Sequence, residues 1–324
     1  MAGSSRWSAS STRHRRALER RVAMDRRSAS TSLAAAAVAA LVAAGVRSAA
    51  AEPPETKKMT SGSRPSFVET DDGASLFYVD WGAGKPVLFT HAWGLNGDIW
   101  EYQLTELVDQ GLRCIAYDRR GHGRSTDPGR GYDFDRLADD LAAVINQLDL
   151  NDVTLVGFSM GNGEAVRYLQ RHGSARIARL VMVSTIPPQS DSSRFNAMIA
   201  GLKQDRPALF ANGVTAFTGG HAAVSPAMAE WVIAQFMRAS PKGAIECLRA
   251  IARGDLRADM RAVTLPTLIV HGAKDQVSPL EKTAKKAAEL IAGCELKVYE
   301  EAPHGLVITH RDRLAQDILA FARG

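Results

Sequence analysis

A serine, an aspartate and a histidine carry the clearest chemical signal in this sequence. Ser159 lies between Gly157 and Gly161 in the stretch GFSMG, which follows the apolar run Val153–Phe158 and precedes a helical pattern. A sharp strand-to-helix turn of this kind strains the backbone at the serine and exposes its hydroxyl, and the two glycines let strand and helix approach closely. This context predicts that Ser159 is a nucleophile.

A serine hydroxyl attacks efficiently only when a base removes its proton. Among the eight histidines, His304 lies in the stretch EAPHG just after the last predicted strand, where a loop can return to Ser159. The histidine in turn needs a carboxylate that fixes its tautomer and stabilises its charged form. Asp275, in HGAKDQV, is the predicted acid because it follows a strand that ends at His271, which we interpret as a structural histidine.

Two competing carboxylates, Asp255 and Asp259, come earlier in the chain than Asp275. Both lie in helical sequence and are predicted to be solvated. The predicted catalytic residues are therefore Ser159, Asp275 and His304, in that order.

Attack on a carbonyl also requires hydrogen-bond donors for the oxyanion that forms. The backbone N–H of Met160, next to the nucleophile, is one predicted donor, and that of Trp93, after the apolar run Pro86–Thr90, is the other. The side chains of Trp93, Ile186 and Val277 are predicted to line the substrate pocket, with Met160 in its acyl part. These groups would surround the carbonyl group with two polar donors and several apolar side chains.

The candidate residues lie at the ends of short apolar runs that alternate with helical patterns. Such alternation is typical of an α/β fold in which helices cover both faces of a mostly parallel sheet. The predicted strands are Phe67–Thr70 and Ser75–Val79, which form an antiparallel hairpin, then Pro86–Thr90, Arg113–Asp118, Val153–Phe158, Leu180–Ser184, Thr267–Val270 and Glu295–Tyr299. The predicted helices are Trp100–Gln110, Phe134–Leu148, Gly163–His172, Pro279–Ile291 and Arg311–Ala322.

The segment 189–263 interrupts this alternation, because it contains helical patterns and no strand-like run. We interpret it as a helical cap inserted after the sixth strand. Its large apolar residues are Phe195, Met198, Phe210, Phe217, Trp231, Phe236 and Met237. Most of them are expected to pack the cap against the core, and two or three to line the substrate pocket.

Several of these stretches resemble the α/β-hydrolase fold family, over about residues 66–324. Asp118–Ser125, DRRGHGRS, matches the family's DxRGxGxS loop, and serine, aspartate and histidine follow one another in the family's order. HAWGLNGDIW, GFSMGNGE and APHGLVITH are similar to the cofactor-free bacterial haloperoxidases, which are also arylesterases and perhydrolases. The resemblance implies an eight-stranded, mostly parallel sheet, no metal or other cofactor, and ester hydrolysis through an acyl-enzyme that hydrogen peroxide can intercept to release a peracid.

Three positions depart from that family's pattern. Ala92 replaces the glycine of the usual His-Gly-Trp, and Asn162 replaces the second glycine of the usual Ser-Met-Gly-Gly. Gly94 stands where members called perhydrolases often have proline. We expect Ala92 to narrow the donor loop or shift its donor, and Gly94 to leave that loop freer and perhydrolysis less efficient.

The N-terminal 51 residues are typical of a secretory leader. An Arg-rich segment, 6–27, precedes the 14-residue apolar run 33–46, and Ala49-x-Ala51 follows as a cleavage site. The apolar run is shorter than the roughly 20 residues of a membrane-spanning helix, so no stable membrane insertion is expected. Export to the periplasm or the medium is therefore predicted, with the cytoplasm as the alternative if the leader does not function.

The boundaries of this leader leave two alternatives open. The pair Arg26-Arg27 suggests the twin-arginine route, and Met24 is an alternative start that would shorten the basic segment. Residues 52–65, rich in Pro, Lys and Ser, are predicted to form an exposed linker to the hydrolase domain, 66–324.

The positive net charge of the chain, +5, comes from the predicted leader. Residues 1–51 contain nine Arg and two acidic residues, which leaves 31 basic and 33 acidic residues in 52–324. A nucleic-acid partner is therefore not expected. The three cysteines are an odd number at wide spacings, which argues against a disulfide framework or a structural zinc site, and Cys114 is predicted to be buried.

These observations predict a serine hydrolase that cleaves small acyl or aryl esters and has haloperoxidase or perhydrolase activity as a side reaction. One alternative on the same fold is a carbon–carbon bond hydrolase or a lactonase. An alternative of another class is a non-catalytic protein that binds a small ligand. The sequence leaves the oligomeric state open, a homo-oligomer included.

Overall fold

The computed structural model describes residues 66–190, 193–220 and 223–324. The predicted leader, 1–51, with its alternative start Met24, and the predicted linker, 52–65, lie outside the described residues.

Eight strands form one sheet in the order β1-β2-β4-β3-β5-β6-β7-β8. The strands are β1 (Phe67–Glu69), β2 (Ser75–Gly82), β3 (Pro86–Thr90), β4 (Arg113–Tyr117), β5 (Val153–Phe158), β6 (Ile177–Val183), β7 (Thr267–Gly272) and β8 (Glu295–Tyr299). Strands β3 to β8 are parallel, whereas β1 and β2 form an antiparallel hairpin and β2 pairs antiparallel with β4. The predicted mostly parallel sheet is confirmed.

Burial explains why the central strands are continuous apolar runs. Every residue of β5 is buried, as is every residue of β7, because helices cover both faces of a parallel sheet. Cys114 in β4 is fully buried, as predicted. Neighbouring registers then align the strand ends: Thr90 of β3 pairs with Gly157 of β5, and Phe158 pairs with Val183 of β6. The loops that follow these three strands therefore leave the sheet at one edge.

Ten α-helices accompany the sheet within the described residues. They are α1 (Glu101–Asp109), α2 (Phe134–Gln147), α3 (Met160–His172), α4 (Ser193–Thr218), α5 (Pro226–Met237), α6 (Pro241–Arg253), α7 (Arg257–Arg261), α8 (Ala284–Leu290), α9 (Leu306–Thr309) and α10 (Arg311–Arg323), with 3₁₀ helices at Gly97–Trp100 and Leu280–Lys282. In this described part, no helix is both long and apolar enough to cross a bilayer.

The predicted continuous helix Pro279–Ile291 is wrong. The segment divides at Thr283, whose φ of −125° and ψ of −86° are not helical. The buried Thr283 hydroxyl donates to the carbonyl oxygens of Ser278 (3.1 Å) and Pro279 (3.0 Å), and side-chain bonds of this kind compete with helix continuation.

The cap consists of α4 to α7 and lies between β6 and β7, within the segment predicted for it. Its first helix, α4, is interrupted at Asp205 (φ −154°), two residues before Pro207. The Asp205 carboxylate accepts the N–H of Ala208 at 2.9 Å and so caps the second half of the helix.

Directional hydrogen bonds attach the cap to the loops at the sheet edge. The Asn96 side chain donates to Oε1 of Gln235 in α5 at 2.7 Å, and the Trp93 indole N–H donates to the carbonyl of Ala244 in α6 at 2.8 Å. These bonds place the cap over the carboxyl ends of the parallel strands.

Candidate active site

Ser159 occupies the sharp turn between β5 and α3. Its φ of +52° and ψ of −114° lie outside the regions that non-glycine residues normally adopt, and strain of this kind marks functional sites. A Cβ atom at Gly157 would lie 2.5 Å from Oδ1 of Asn162, and one at Gly161 would lie 2.9 Å from the carbonyl oxygen of Thr90. The predicted close approach of strand and helix therefore requires both glycines.

The structure brings together the serine, the aspartate and the histidine predicted from the sequence. Nε2 of His304 lies 3.1 Å from Oγ of Ser159, and its Nδ1 lies 2.7 Å from Oδ2 of Asp275. Since an ionised carboxylate only accepts hydrogen bonds, Nδ1 carries the proton and Nε2 is free to accept the serine proton. The three side chains can therefore pass a proton from the serine to a stabilised imidazole.

The Asp275 carboxylate is buried and fully engaged. Its Oδ1 accepts the backbone N–H groups of Val277 (2.8 Å) and Ser278 (2.6 Å). Burial alone would raise the pKa of Asp275, but the charge of His304 and hydrogen bonds from His271 and His304 outweigh it and hold the pKa well below its usual value. Asp275 is therefore ionised throughout the range in which an imidazole can act as a base.

His271, which we interpret as a structural histidine, contacts the carboxylate of Asp275. Its Nδ1 accepts the backbone N–H of Thr185 at 3.1 Å, so its Nε2 carries the proton and donates to the carbonyl of Ser278 at 2.8 Å. The same Nε2 lies 3.3 Å from Oδ2 of Asp275. His271 thus supports the acid without reaching the serine.

The two competing carboxylates behave differently from each other. Asp255 is exposed and pairs with Arg257, as its predicted solvation requires. The predicted solvation of Asp259 is wrong, because its side chain is buried and pairs with Arg167 of α3 at 2.8 Å. Asp259 therefore connects the short helix α7 to α3, and its partner is a cation rather than a histidine.

The two predicted oxyanion donors follow two neighbouring strands, β3 and β5, at the sheet edge. Met160 is the first residue of α3, so its N–H belongs to the first turn, where backbone donors lack partners within the helix. Trp93 lies three residues after the end of β3, and its N–H makes no hydrogen bond to the described residues. Both N–H groups are thus available for an oxyanion.

The donor loop is closely packed, which makes the expectation of a freer loop at Gly94 wrong. Gly94 is buried at φ +72°, and a Cβ atom there would lie 2.8 Å from the ring of Phe236. Proline, fixed near φ −65°, cannot adopt this conformation. The neighbouring Ala92 lines the cavity, and the Asn162 amide donates to the carbonyl of Val183 at 2.9 Å beside the turn.

A cavity of about 390 Å³ opens onto Ser159 and His304. The predicted pocket residues Trp93, Ile186 and Val277 all line it. The side chain of Met160 is fully buried and is not among the lining residues, so its predicted place in the acyl pocket is wrong. Its predicted role as an oxyanion donor requires only its backbone N–H, at the start of α3.

The cap supplies more of the wall than the sequence suggested. Five of the seven large apolar cap residues line the cavity instead of two or three: Phe195, Met198, Phe210, Phe217 and Phe236. The rings of Phe210 and Phe236 stack with centroids 4.9 Å apart, and Phe217 meets Phe236 edge-on at 5.7 Å. The aromatic side chains therefore pack on one another and also line the cavity.

Several lining residues were not predicted from the sequence. They are Ala92, Leu209, Gly213, Ala216, Leu248, Ile251, Gln276 and Ser278. A signal existed for two groups: Leu248 and Ile251 lie three positions apart on one face of the amphipathic helix α6, and Gln276 and Ser278 flank Val277. Among the described residues, no three His, Cys, Asp or Glu side chains cluster closely enough to bind a metal ion.

Comparison with known proteins agrees with this geometry. A sequence profile of the α/β hydrolase fold matches residues 85–311. The chain is 41% identical over 269 residues to a non-heme chloroperoxidase of Kitasatospora aureofaciens, which covers 78% of this chain and 97% of that protein. It is 35% identical over 274 residues to a bifunctional esterase/perhydrolase of Acinetobacter calcoaceticus, which covers 79% and 99%.

The fold is also similar to that of solved enzymes. An esterase from Exiguobacterium antarcticum superposes with a TM-score of 0.78 at 34% identity, over 81% of this chain and 100% of the esterase. Because the profile spans most of the sequence and relatives above 30% identity align over nearly their whole length, this chain belongs to the α/β-hydrolase fold family.

Proposed function

We propose that this protein is a serine esterase that hydrolyses small, uncharged acyl or aryl esters through an acyl-enzyme on Ser159. One observation carries the proposal: His304 bridges Oγ of Ser159 and Oδ2 of Asp275 at 3.1 and 2.7 Å, at the floor of an apolar cavity. That arrangement supplies a nucleophile, a base and an oriented acid next to a space for an acyl group.

In the first half-reaction, Oγ of Ser159 attacks the ester carbonyl carbon while its proton moves to Nε2 of His304. The carbonyl oxygen becomes an oxyanion that accepts hydrogen bonds from the N–H groups of Trp93 and Met160. Collapse of this intermediate breaks the bond to the leaving oxygen, which takes the proton from His304. The alcohol leaves and the acyl group remains on Ser159.

In the second half-reaction, water attacks the acyl carbon and gives a proton to His304. Collapse of this intermediate breaks the bond between that carbon and Oγ of Ser159, which takes the proton back from His304, and the acid leaves. Hydrogen peroxide can replace water, because one of its oxygens attacks the same carbon and the product is then a peracid. A peracid transfers its terminal oxygen to a halide ion, which yields the carboxylate and the hypohalous acid. The names of the haloperoxidase and esterase/perhydrolase relatives support this side reaction.

The cavity wall favours uncharged substrates. Apart from His304, the described lining residues carry no ionisable side chain, and most of them are aliphatic or aromatic. Burying an unpaired carboxylate against such a wall would cost far more than burying an apolar acyl group. We therefore expect small neutral esters to be turned over faster than esters with a charged acyl group.

The experiment combines turnover with covalent labelling. The purified protein is expected to hydrolyse p-nitrophenyl acetate and to form a fluorophosphonate adduct on Ser159, and both should disappear in Ser159→Ala. Added peroxide and bromide should brominate phenol red, at a rate that depends on the presence of the ester or of acetate. A folded protein with neither turnover nor adduct would instead support the binding-protein alternative, and faster opening of δ-valerolactone than of any linear ester would support a lactonase.

We also propose that residues 1–51 direct export, as their basic and apolar segments and the Ala49-x-Ala51 site suggest. Expression in a bacterial host followed by fractionation and N-terminal sequencing tests this. Cleaved protein outside the cytoplasm that begins near Glu52 is the expected result, and uncleaved cytoplasmic protein would contradict it.

A further inference from the structure

A fully buried ion pair lies beside the site but does not line the cavity. Nε of Arg119, in the loop after β4, pairs with Oε1 of Glu164 in α3, and neither residue is more than 1% exposed. Withdrawing two ions from water costs several kcal/mol, and apolar side chains of similar volume are often at least as stabilising. The presence of the pair is therefore better explained by the groups that it holds in place than by a contribution to stability.

The remaining donors of Arg119 are directed at the donor loop. Its Nη2 donates to the carbonyl oxygen of His91 at 2.6 Å, and its Nη1 lies 3.4 Å from the carbonyl oxygen of Ala92. Its backbone N–H donates to Nε2 of His91 at 2.9 Å. One planar guanidinium thus connects the Glu164 carboxylate with two consecutive carbonyl groups of the loop.

The His91 ring adds a second donor to the same carbonyl. Because its Nε2 accepts the Arg119 N–H, the ring proton is on Nδ1, which donates to the carbonyl oxygen of Ala92 at 2.8 Å. Burial and the positive charge of Arg119 hold the pKa of His91 well below its usual value. The ring is therefore neutral and keeps this tautomer.

The carbonyl of Ala92 and the N–H of Trp93 belong to one peptide group. A peptide is planar, and in the trans form its N–H points opposite to its C=O; no peptide in the described residues is cis. Hydrogen bonds that hold the Ala92 oxygen therefore also determine the direction of the Trp93 N–H.

Glu164, the acidic partner of the ion pair, lies on α3, the helix that begins with the other predicted oxyanion donor, Met160. Glu164 lies four residues after Met160 on α3, which is about one helical turn. Its Oε2 accepts the hydroxyl of Tyr117 at 3.0 Å, so both carboxylate oxygens are engaged. A short chain of directional bonds consequently runs from the helix of one oxyanion donor to the peptide of the other.

We propose that the Arg119–Glu164 pair positions the oxyanion hole by fixing the Ala92–Trp93 peptide relative to the first turn of α3. This inference rests on the proposed function, because it assigns a role in the same reaction. Arg119 and Glu164 are positioning residues, since neither contacts the cavity in which the ester would lie.

The test replaces both charges together, so that no ion is left buried alone. The variant Arg119→Met/Glu164→Met is compared with Arg120→Met/Asp140→Met, a matched pair one position along the same loop. Arg120 and Asp140 are equally buried and hydrogen-bonded at 2.6 Å, and Arg120 makes no hydrogen bond to the donor loop. Its other ionic partner, Asp72, is partly exposed, so the control variant also leaves no carboxylate fully buried without a partner. A third variant, Arg119→Lys, keeps the positive charge but loses the planar fork.

Two measurements distinguish positioning from mere structural support. The first is kcat/KM for p-nitrophenyl acetate. The second is the ratio of the inhibition constants of trifluoroacetophenone and acetophenone. Ser159 adds to the fluorinated ketone, its proton passes to His304, and the carbonyl oxygen becomes an oxyanion; acetophenone occupies the same space without being attacked.

In Arg119→Met/Glu164→Met, kcat/KM is expected to fall roughly 10- to 100-fold, less than the 10²- to 10³-fold cost of losing one oxyanion donor entirely. The preference for the fluorinated ketone should fall by the same factor, while the inhibition constant of acetophenone and the labelling stoichiometry of Ser159 stay unchanged. Arg119→Lys should show the same pattern, and the control pair should show neither change.

A folded double variant with the parental kcat/KM and inhibitor ratio would overturn the proposal, and so would an equal loss in the control pair. If the double variant does not fold, the same two measurements on Arg119→Lys decide. A parent protein that neither hydrolyses the ester nor labels at Ser159 overturns the proposed function, whereas failure of the positioning role is recognised only in an active parent.

Discussion

The floor and the roof of the candidate active site are built by different forces. On the floor, at the carboxyl ends of β5, β7 and β8, the polar atoms of Ser159, Asp275 and His304 are joined by hydrogen bonds of 2.7 and 3.1 Å. In the roof, the cap rings of Phe210 and Phe236 meet by stacking at a centroid separation of 4.9 Å. Hydrogen bonds fix direction, whereas apolar packing fixes only volume and shape.

Floor and roof should therefore control different kinetic quantities. A change in the floor alters groups that interact with developing charge, so it should lower kcat and kcat/KM together for every ester. A change in the roof alters the space for the acyl group, so it should change the order of preferred esters.

The largest effect is expected from Ser159→Ala. Without the nucleophile, kcat should fall by about 10⁴-fold or more for p-nitrophenyl acetate and for every other ester tested. Steady-state kinetics measures the loss, and Ser174→Ala, an exposed serine just after α3, is the control. Residual activity within tenfold of the parent would remove Ser159 from the mechanism.

Asp275→Asn is expected to cost somewhat less, about 10³- to 10⁴-fold in kcat, because the amide favours the wrong tautomer of His304 and cannot stabilise its cation. The control is Asp255→Asn, which changes an exposed carboxylate paired with Arg257 and should leave kcat unchanged. If Asp275→Asn retained parental kcat, another group would have to act as the acid.

In the roof, Phe210→Leu should change selectivity rather than chemistry. Removing part of a ring that lines the cavity leaves room for a longer acyl chain, and differences of this size are worth about 10-fold in relative kcat/KM. The ratio of kcat/KM for p-nitrophenyl butyrate to that for the acetate should rise by that factor. Trp231→Leu, a cap aromatic outside the lining, is the control and should leave the ratio unchanged. A uniform loss for both esters would break the division between floor and roof.

The smallest effect is expected in the pH dependence of the free energy of unfolding, which we assign to buried histidines such as His122. Burial, with the charge of Arg119, lowers the pKa of His122 from 6.5 to about 3. The unfolded chain therefore binds a proton that the folded chain does not, and the free energy of unfolding should fall by up to about 1.4 kcal/mol per pH unit per such group as pH drops below 6.5. Urea denaturation at pH 7 and pH 5 measures the slope.

His122→Leu should reduce that slope, because the leucine has no proton to gain on unfolding. His172→Leu is the matched control, since His172 lies at the exposed end of α3 and pairs with Asp139. Equal slopes in His122→Leu and the parent protein would show that other groups govern the acid sensitivity.

The sheet and most of its helices were predictable because their signals are local. Continuous apolar runs such as Val153–Phe158 indicate a strand buried on both faces, and the three- and four-residue spacing in Phe134–Gln147 indicates an amphipathic helix. The prediction failed at Thr283, where a buried hydroxyl bonds to preceding carbonyls and divides a helix that the apolar spacing would continue. No feature of the local pattern distinguishes that threonine from an exposed one.

The roof was less predictable than the floor for the same physical reason. A cap helix such as α5 is apolar on more than one side, and its sequence does not say whether Phe236 faces the core, a neighbouring helix or the cavity. The wrong prediction for Asp259 has a similar cause, because its partner, Arg167, lies 92 residues away in the sequence. Contacts between distant segments decide both cases.

Local sequence features specify the alternation of strands and helices, the glycine-flanked turn at Ser159, and the order of the serine, aspartate and histidine that the fold brings together. These features follow from steric limits and periodicity within a few residues. Three other features are seen only in the folded chain: which cap rings enclose the cavity, why Gly94 cannot be replaced by proline, and that Arg119 and Glu164 connect the two donor segments. Those features depend on packing and on directional bonds between residues far apart in the chain, which no local pattern encodes.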